Sequence, residues 1–182
     1  MSVQPVAAQE DEKNRASSIK KGSMSKRIAM TQSEQEFHRK MAVECFNKTW
    51  DYLRKKNRSP DDDRLMLNLA HSSCYHWSLV GKAPNFAIGD WQISRVYSAL
   101  KQPDLAMRFA TSSLETCQKN NLSELLVSAY EGVARAYAVA NEYRSAKEFT
   151  DKARHQLSQV TDEEDVKIYS DQIDETEQMI PK

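Results

Sequence analysis

Residues 131–153, EGVARAYAVANEYRSAKEFTDKA, decide how this chain is read, because residues 91–113, WQISRVYSALKQPDLAMRFATSS, repeat their pattern. Tyr97, Ala106 and Phe109 recur as Tyr137, Ala146 and Phe149, each displaced by 40 positions. Ser113 and Ala153 continue the register with small residues. The pattern has a physical use. A small side chain lets two paired helices approach closely, and an aromatic ring wedges beside it. Asn141 and Glu142 interrupt the second copy where one helix must turn into the next.

Working outward, glycine and proline are few, at 4 and 5 residues, and they fall between periodic apolar segments. That favours helices, since sheets need frequent turns. Seven helices are expected. Ser33 with Glu36 suits the start of the first, and Ser59 followed by Pro60 and three aspartates suits the second, which should end near Gly81. Asn85 is the expected start of the third, Pro103 with Asp104 of the fourth, and Ser123 with Glu124 of the fifth. The sixth should follow Asn141, and Thr161 with Glu164 should open the seventh. Short connections imply antiparallel neighbours. Leu65, Leu67, Leu69, Leu79 and Val80 make the second helix apolar around much of its circumference, so it is expected at the centre. The acidic seventh helix should offer Val166, Ile173 and Ile180 to the sixth and cap the stack.

Residues 1–30 are polar and show no sustained period, so they are read as a disordered basic tail ahead of a helical domain at 31–182. Basic and acidic residues balance at 26 each, which argues against a nucleic-acid partner. No apolar run approaches the ~20 residues of a membrane span, and the first 30 residues hold no secretory apolar stretch. Cys45, Cys74 and Cys117 lie in apolar segments and read as reduced core thiols, so a cytoplasmic location is expected.

The segment Val133-Ala134, Tyr137, Asn141-Glu142-Tyr143, Ala146, Phe149, Ala153 resembles a tetratricopeptide repeat, with Asn141 in place of the usual turn glycine. Ile93-Ser94, Tyr97, Ala106, Phe109, Ser113 is a more degenerate copy, and the spacing of 40 exceeds the usual ~34. The resemblance covers about residues 88–158, and the first two helices match the pattern poorly. It implies an all-α, right-handed superhelical stack of helix pairs. It also implies a protein or peptide partner held in a concave groove, with no catalytic residue and no cofactor. Groove positions carried over from the family fall on Trp91, Arg95, Glu131 and Arg135, with Gln92 flanking. Trp91 and Arg95, like Glu131 and Arg135, are spaced i, i+4 and share a helix face without the analogy. Two arginines at equivalent positions suit a carboxylate, a phosphate or backbone carbonyls. Open-ended stacks also leave a homodimer through an end helix as an expectation.

A second cluster lies on the second helix. His71, Cys74 and Tyr75 share a face, with His76 and Trp77 on the adjoining one. The stretches from His71 to Trp77 and from Gly89 to Tyr97 resemble those of small uncharacterised prokaryotic helical proteins, a likeness that implies no activity. Besides a nucleic-acid contact through the basic tail, two further readings compete with peptide binding. One is a sensor of a small anion lodged among His71, Tyr75, Trp91 and Arg95. The other is an enzyme using His71 or His76 as acid and base. No metal is expected: zinc wants three or four ligands, and neither a CxxC nor an HExxH spacing occurs. Phosphate-loop, dinucleotide and nucleophile-elbow sequences are also missing.

Overall fold

A computed structural model describes residues 30–181, and the expectation of a disordered tail falls outside them except at its last residue. Among the described residues the chain is all-α with seven helices: α1 Gln32–Leu53, α2 Pro60–Val80, α3 Ala83–Ala99, α4 Pro103–Lys119, α5 Leu126–Val139, α6 Tyr143–Leu157 and α7 Glu163–Glu177. A single 3₁₀ turn, Ser123–Leu125, precedes α5.

Local chemistry sets the boundaries. The Ser59 hydroxyl accepts from the Asp62 amide at 3.2 Å, and the Asp62 carboxylate accepts from the Ser59 amide at 2.8 Å. This reciprocal cap, with Pro60 in the first turn, starts α2 where the sequence said it would. Helix α3 begins two residues earlier than expected. Pro84 fits the first turn without needing its missing donor, and the Asn85 side chain reaches back to cap the Lys82 amide at 3.0 Å. Helix α7 is capped by Asp162 rather than Thr161, its carboxylate accepting from the amides of Glu164 and Asp165. Ser33 lies inside α1, which already includes Gln32.

Three turns share one geometry. Lys101, Asn121 and Asn141 take left-handed backbone angles, with φ of 55°, 53° and 62°. Each lets the following amide bond a carbonyl five residues back: Gln102 to Tyr97, Leu122 to Cys117, and Glu142 to Tyr137. These are Schellman closures, which satisfy the orphan carbonyls of a helix end. Asparagine tolerates the conformation, but lysine adopts it at a cost.

The repeat extends further than the sequence pattern indicated. Met66, Ala70 and Ser73 on α2, Ala106, Ala110 and Ser113 on α4, and Ala146, Thr150 and Ala153 on α6 are all at most 2% exposed. Each triplet follows the last by 40 residues. The Ser73 hydroxyl donates to the Ala42 carbonyl at 2.9 Å, and Ser113 donates to Ala87 at 2.8 Å. Helix α1 is therefore a counterpart of α3, displaced by 45 residues. The five extra residues between Tyr52 and Met66 hid this first pair from a fixed-period reading. Tyr97 stacks on Phe109 with ring centroids 5.6 Å apart, and Tyr137 meets Phe149 at the same distance.

Consecutive helices pack together throughout, and α1 with α3, α3 with α5, and α5 with α7 also touch. The backbones of α2 and α4, and of α4 and α6, do not come as close. The odd-numbered helices thus crowd one side while the even-numbered ones splay on the other, which makes the odd side concave. The helices at the centre are α3 and α5, not α2. In α3 Gly89 and an unbroken run from Trp91 to Ser98 are buried, whereas Leu65, Tyr75 and Leu79 of α2 stand exposed. Of the four leucines of α2, Leu65 and Leu79 face outward while Leu67 packs against the core. Ile173 of α7 is fully buried against Val127 and Ala153, so this helix packs on α5 as well as α6. No helix among the described residues is long and apolar enough to cross a membrane.

Candidate functional site

The concave side carries a charged network centred on Glu131. Arg95 and Trp91 follow each other by one helical turn on α3, and Glu131 and Arg135 do the same on α5. The 40-residue offset places Glu131 level with Trp91 and Arg135 level with Arg95. Glu131 Oε2 accepts from the Trp91 indole at 2.8 Å. Glu131 Oε1 accepts from Arg135 Nε at 2.7 Å, Arg95 Nη1 at 3.2 Å and the Thr176 hydroxyl at 2.7 Å. Glu175 Oε2 then bridges both arginines, 2.6 Å from Arg95 Nη2 and 3.3 Å from Arg135 Nη2. Gly132 permits the arrangement, since a Cβ there would sit 2.9 Å from Trp91 Cδ1.

Glu131 has no solvent exposure. Burial alone would raise its carboxyl, but the Arg135 and Arg95 charges and the hydrogen bonds from Thr176 and Trp91 outweigh it and hold it down at about 2. Burial pulls the Arg95 guanidinium below its ordinary value against the attraction of Glu131 and Glu175. It lies beside two indoles that also touch each other, 5.2 Å from the Trp50 ring centroid and 5.4 Å from that of Trp91.

Above this network lies a cleft of about 710 Å³. Phe46, Trp50 and Leu53 of α1 form one wall, Trp91 and Arg95 of α3 the floor, and Ile168, Tyr169 and Gln172 of α7 the facing wall. Its size falls in the range of ligand sites, and so does its make-up of aromatic walls with a few polar groups. Ser98 and Ser128 line it, are 6% and 2% exposed, and their hydroxyls have no hydrogen-bond partner among the described residues. The Gln172 side-chain oxygen is unpartnered in the same way. Buried polar atoms are ordinarily satisfied, so these three mark hydrogen-bonding capacity left unspent, as does the Ser94 hydroxyl away from the cleft.

Of the residues singled out from sequence, Trp91, Arg95, Glu131 and Arg135 come together. The arginines grip the protein's own Glu131 and Glu175 and are not free to hold a ligand's carboxylate or phosphate. Gln92 is spent elsewhere, donating to the Phe46 carbonyl at 3.0 Å and tying α3 to α1. Trp50, Glu175 and Thr176 went unnoticed. Trp50 lies in the pair whose register was hidden, and the two α7 residues sit in an acidic run that read as solvated surface.

The second cluster does not join this site. Tyr97 is two positions beyond Arg95, about 200° around the helix, so its face of α3 looks away from the cleft. His71 is bonded there, its Nε2 lying 3.1 Å from the Tyr97 hydroxyl and its ring edge-on to Phe109. Burial lowers the His71 pKa, partly opposed by Asp90. Tyr75 is 60% exposed. His76 Nδ1 lies 2.7 Å from His38 Nδ1, joining α2 to α1, and the Trp77 carbonyl closes the helix end by accepting from Gly81 at 2.6 Å. Neither His71 nor Tyr75 lines the cleft that holds Trp91 and Arg95. Among the described residues no three His, Cys, Asp or Glu side chains are grouped to hold a metal ion.

No protein-family model, curated protein or solved structure matches this chain.

Proposed function

We propose that this chain is a non-catalytic interaction module that takes a peptide segment of a partner protein in the cleft between α1, α3 and α7. The observation that carries the reading is the cleft itself: aromatic side chains on both walls, Phe46 and Trp50 facing Tyr169, beside buried hydroxyls that lack partners. A peptide supplies what both need, apolar side chains for the wall and backbone donors and acceptors for Ser98, Ser128 and Gln172. The resemblance to tetratricopeptide repeats agrees with this, and so does the crowding of odd-numbered helices on the concave side. The small-anion reading has no comparable support, because its four residues are divided between two faces.

A random-peptide library displayed on phage tests the proposal. Selection on the full chain should enrich peptides that fail to bind Ile168→Ser, a change at an exposed wall residue that leaves the core untouched. Enriched peptides that bind this variant and a Trp50→Ala variant equally well would overturn it.

A further inference from the structure

Resting on that reading, we infer that the cleft's peptide is basic, with an apolar or aromatic residue held between lysines or arginines. The sign is opposite to what two groove arginines suggest. Arg95 and Arg135 are already neutralised by Glu131 and Glu175 and are mostly buried. Glu131 takes four donors and is fully buried. The charge still open to a partner lies on α7.

Between residues 162 and 177 the sequence has eight carboxylates and one basic residue, Lys167. Asp174 and Glu177 are paired with Arg154, Asp162 caps the helix, and Glu175 Oε2 is held by the network. Asp165 and Asp171 are both exposed, line the cleft, and form no ion pair with a cation among the described residues. Asp165, Ile168, Tyr169, Gln172 and Glu175 recur at helical spacing, so one stripe of α7 offers the cleft an acid, two apolar side chains, an orphan acceptor and a second acid. Across from it the one exposed cation of the lining, Arg54, is folded over the Trp50 ring at 5.7 Å. An apolar side chain between the walls would bring flanking cations to Asp165 and Asp171.

The length follows from the floor. The repeat offset sets Ser128 level with Ile88, and from there to Ser98 is ten helical residues, about 15 Å. That accommodates about five extended residues.

The test uses three dye-labelled eight-residue peptides with one Leu-Phe core and lysine/arginine, serine or glutamate flanks. Fluorescence polarisation is read on the full chain at about 0.05 M and about 0.5 M salt. The basic peptide should bind at least tenfold tighter than the acidic one and weaken at the higher salt. Asp165→Asn/Asp171→Asn should weaken it about three- to tenfold, the yield of two exposed charge pairs, with helicity unchanged. Equal or tighter binding of the serine or glutamate peptide overturns the inference and leaves the peptide reading standing. Binding of none of the three overturns both.

Discussion

Replacing Glu131 by glutamine isolates the electrostatic hub at nearly constant volume. The variant keeps an oxygen for Thr176 or Trp91 but removes the charge that two guanidinium groups share. A carboxyl held at about 2 instead of an ordinary 4.5 corresponds, at about 1.4 kcal/mol per pH unit, to about 3 kcal/mol favouring the ionised folded state. That figure agrees with the 3–5 kcal/mol typical of breaking a buried ion pair from one side (roughly). For a domain of this size each kcal/mol moves the midpoint by about 2–4 °C, so Tm should fall by about 6–12 °C. Because the folded pKa is depressed, the wild-type contribution is complete above pH 4.5 and is lost as pH falls through about 2. Urea unfolding at pH 7 and at steps down to pH 3 measures both features. The variant should lose about 3 kcal/mol at pH 7 and show a flatter acid dependence than wild type. A loss below ~1 kcal/mol, or an unchanged acid profile, would refute the hub.

Lys101→Gly should stabilise the fold by about 1 kcal/mol, since φ of 55° strains any residue with a Cβ; thermal unfolding checks it, and the change should leave the cleft unaffected. Gly132→Ala should cost about 1–3 kcal/mol and weaken the Trp91–Glu131 bond, because the new methyl meets the indole edge whose neighbouring Nε1 is anchored to Glu131. The three thiols should resist a disulfide reagent at pH 8 until the chain unfolds: burial pushes Cys74 up to about 12 and Cys117 up to about 11, and it raises Cys45 as well.

How far the sequence could be read followed from the range of each interaction. The cap at Ser59 and the first-turn proline at Pro103 are local signals, and they were legible. So was the 40-residue ladder, because Tyr97 and Tyr137 see the same neighbours in their own pairs. Lys101 was not, since nothing in a lysine announces a left-handed turn; its equivalence to Asn141 shows only through the backbone. The first helix pair was obscured by five residues in its connection, and Trp50 was lost with it. The four groove residues lie on α3 and α5, where the spacing set them, but the ion pairs that occupy the arginines were not legible in full. Whether an arginine is free or spent depends on Glu175, which reaches Arg95 from 80 positions away. Apolar content alone misplaced α2 at the centre, because leucines facing outward count as much in a periodicity as leucines facing in.

The most direct test of the cleft uses the three tryptophans. Trp50 and Trp91 wall the cleft, and Trp77 sits on α2 outside it. The indole N–H resonances of ¹⁵N-labelled protein, assigned by single Trp→Phe variants, report all three in one spectrum as the tightest selected peptide is added. Saturable shifts at Trp50 and Trp91, with Trp77 unmoved, are the expected result. A shift at Trp77 alone would contradict the proposed site.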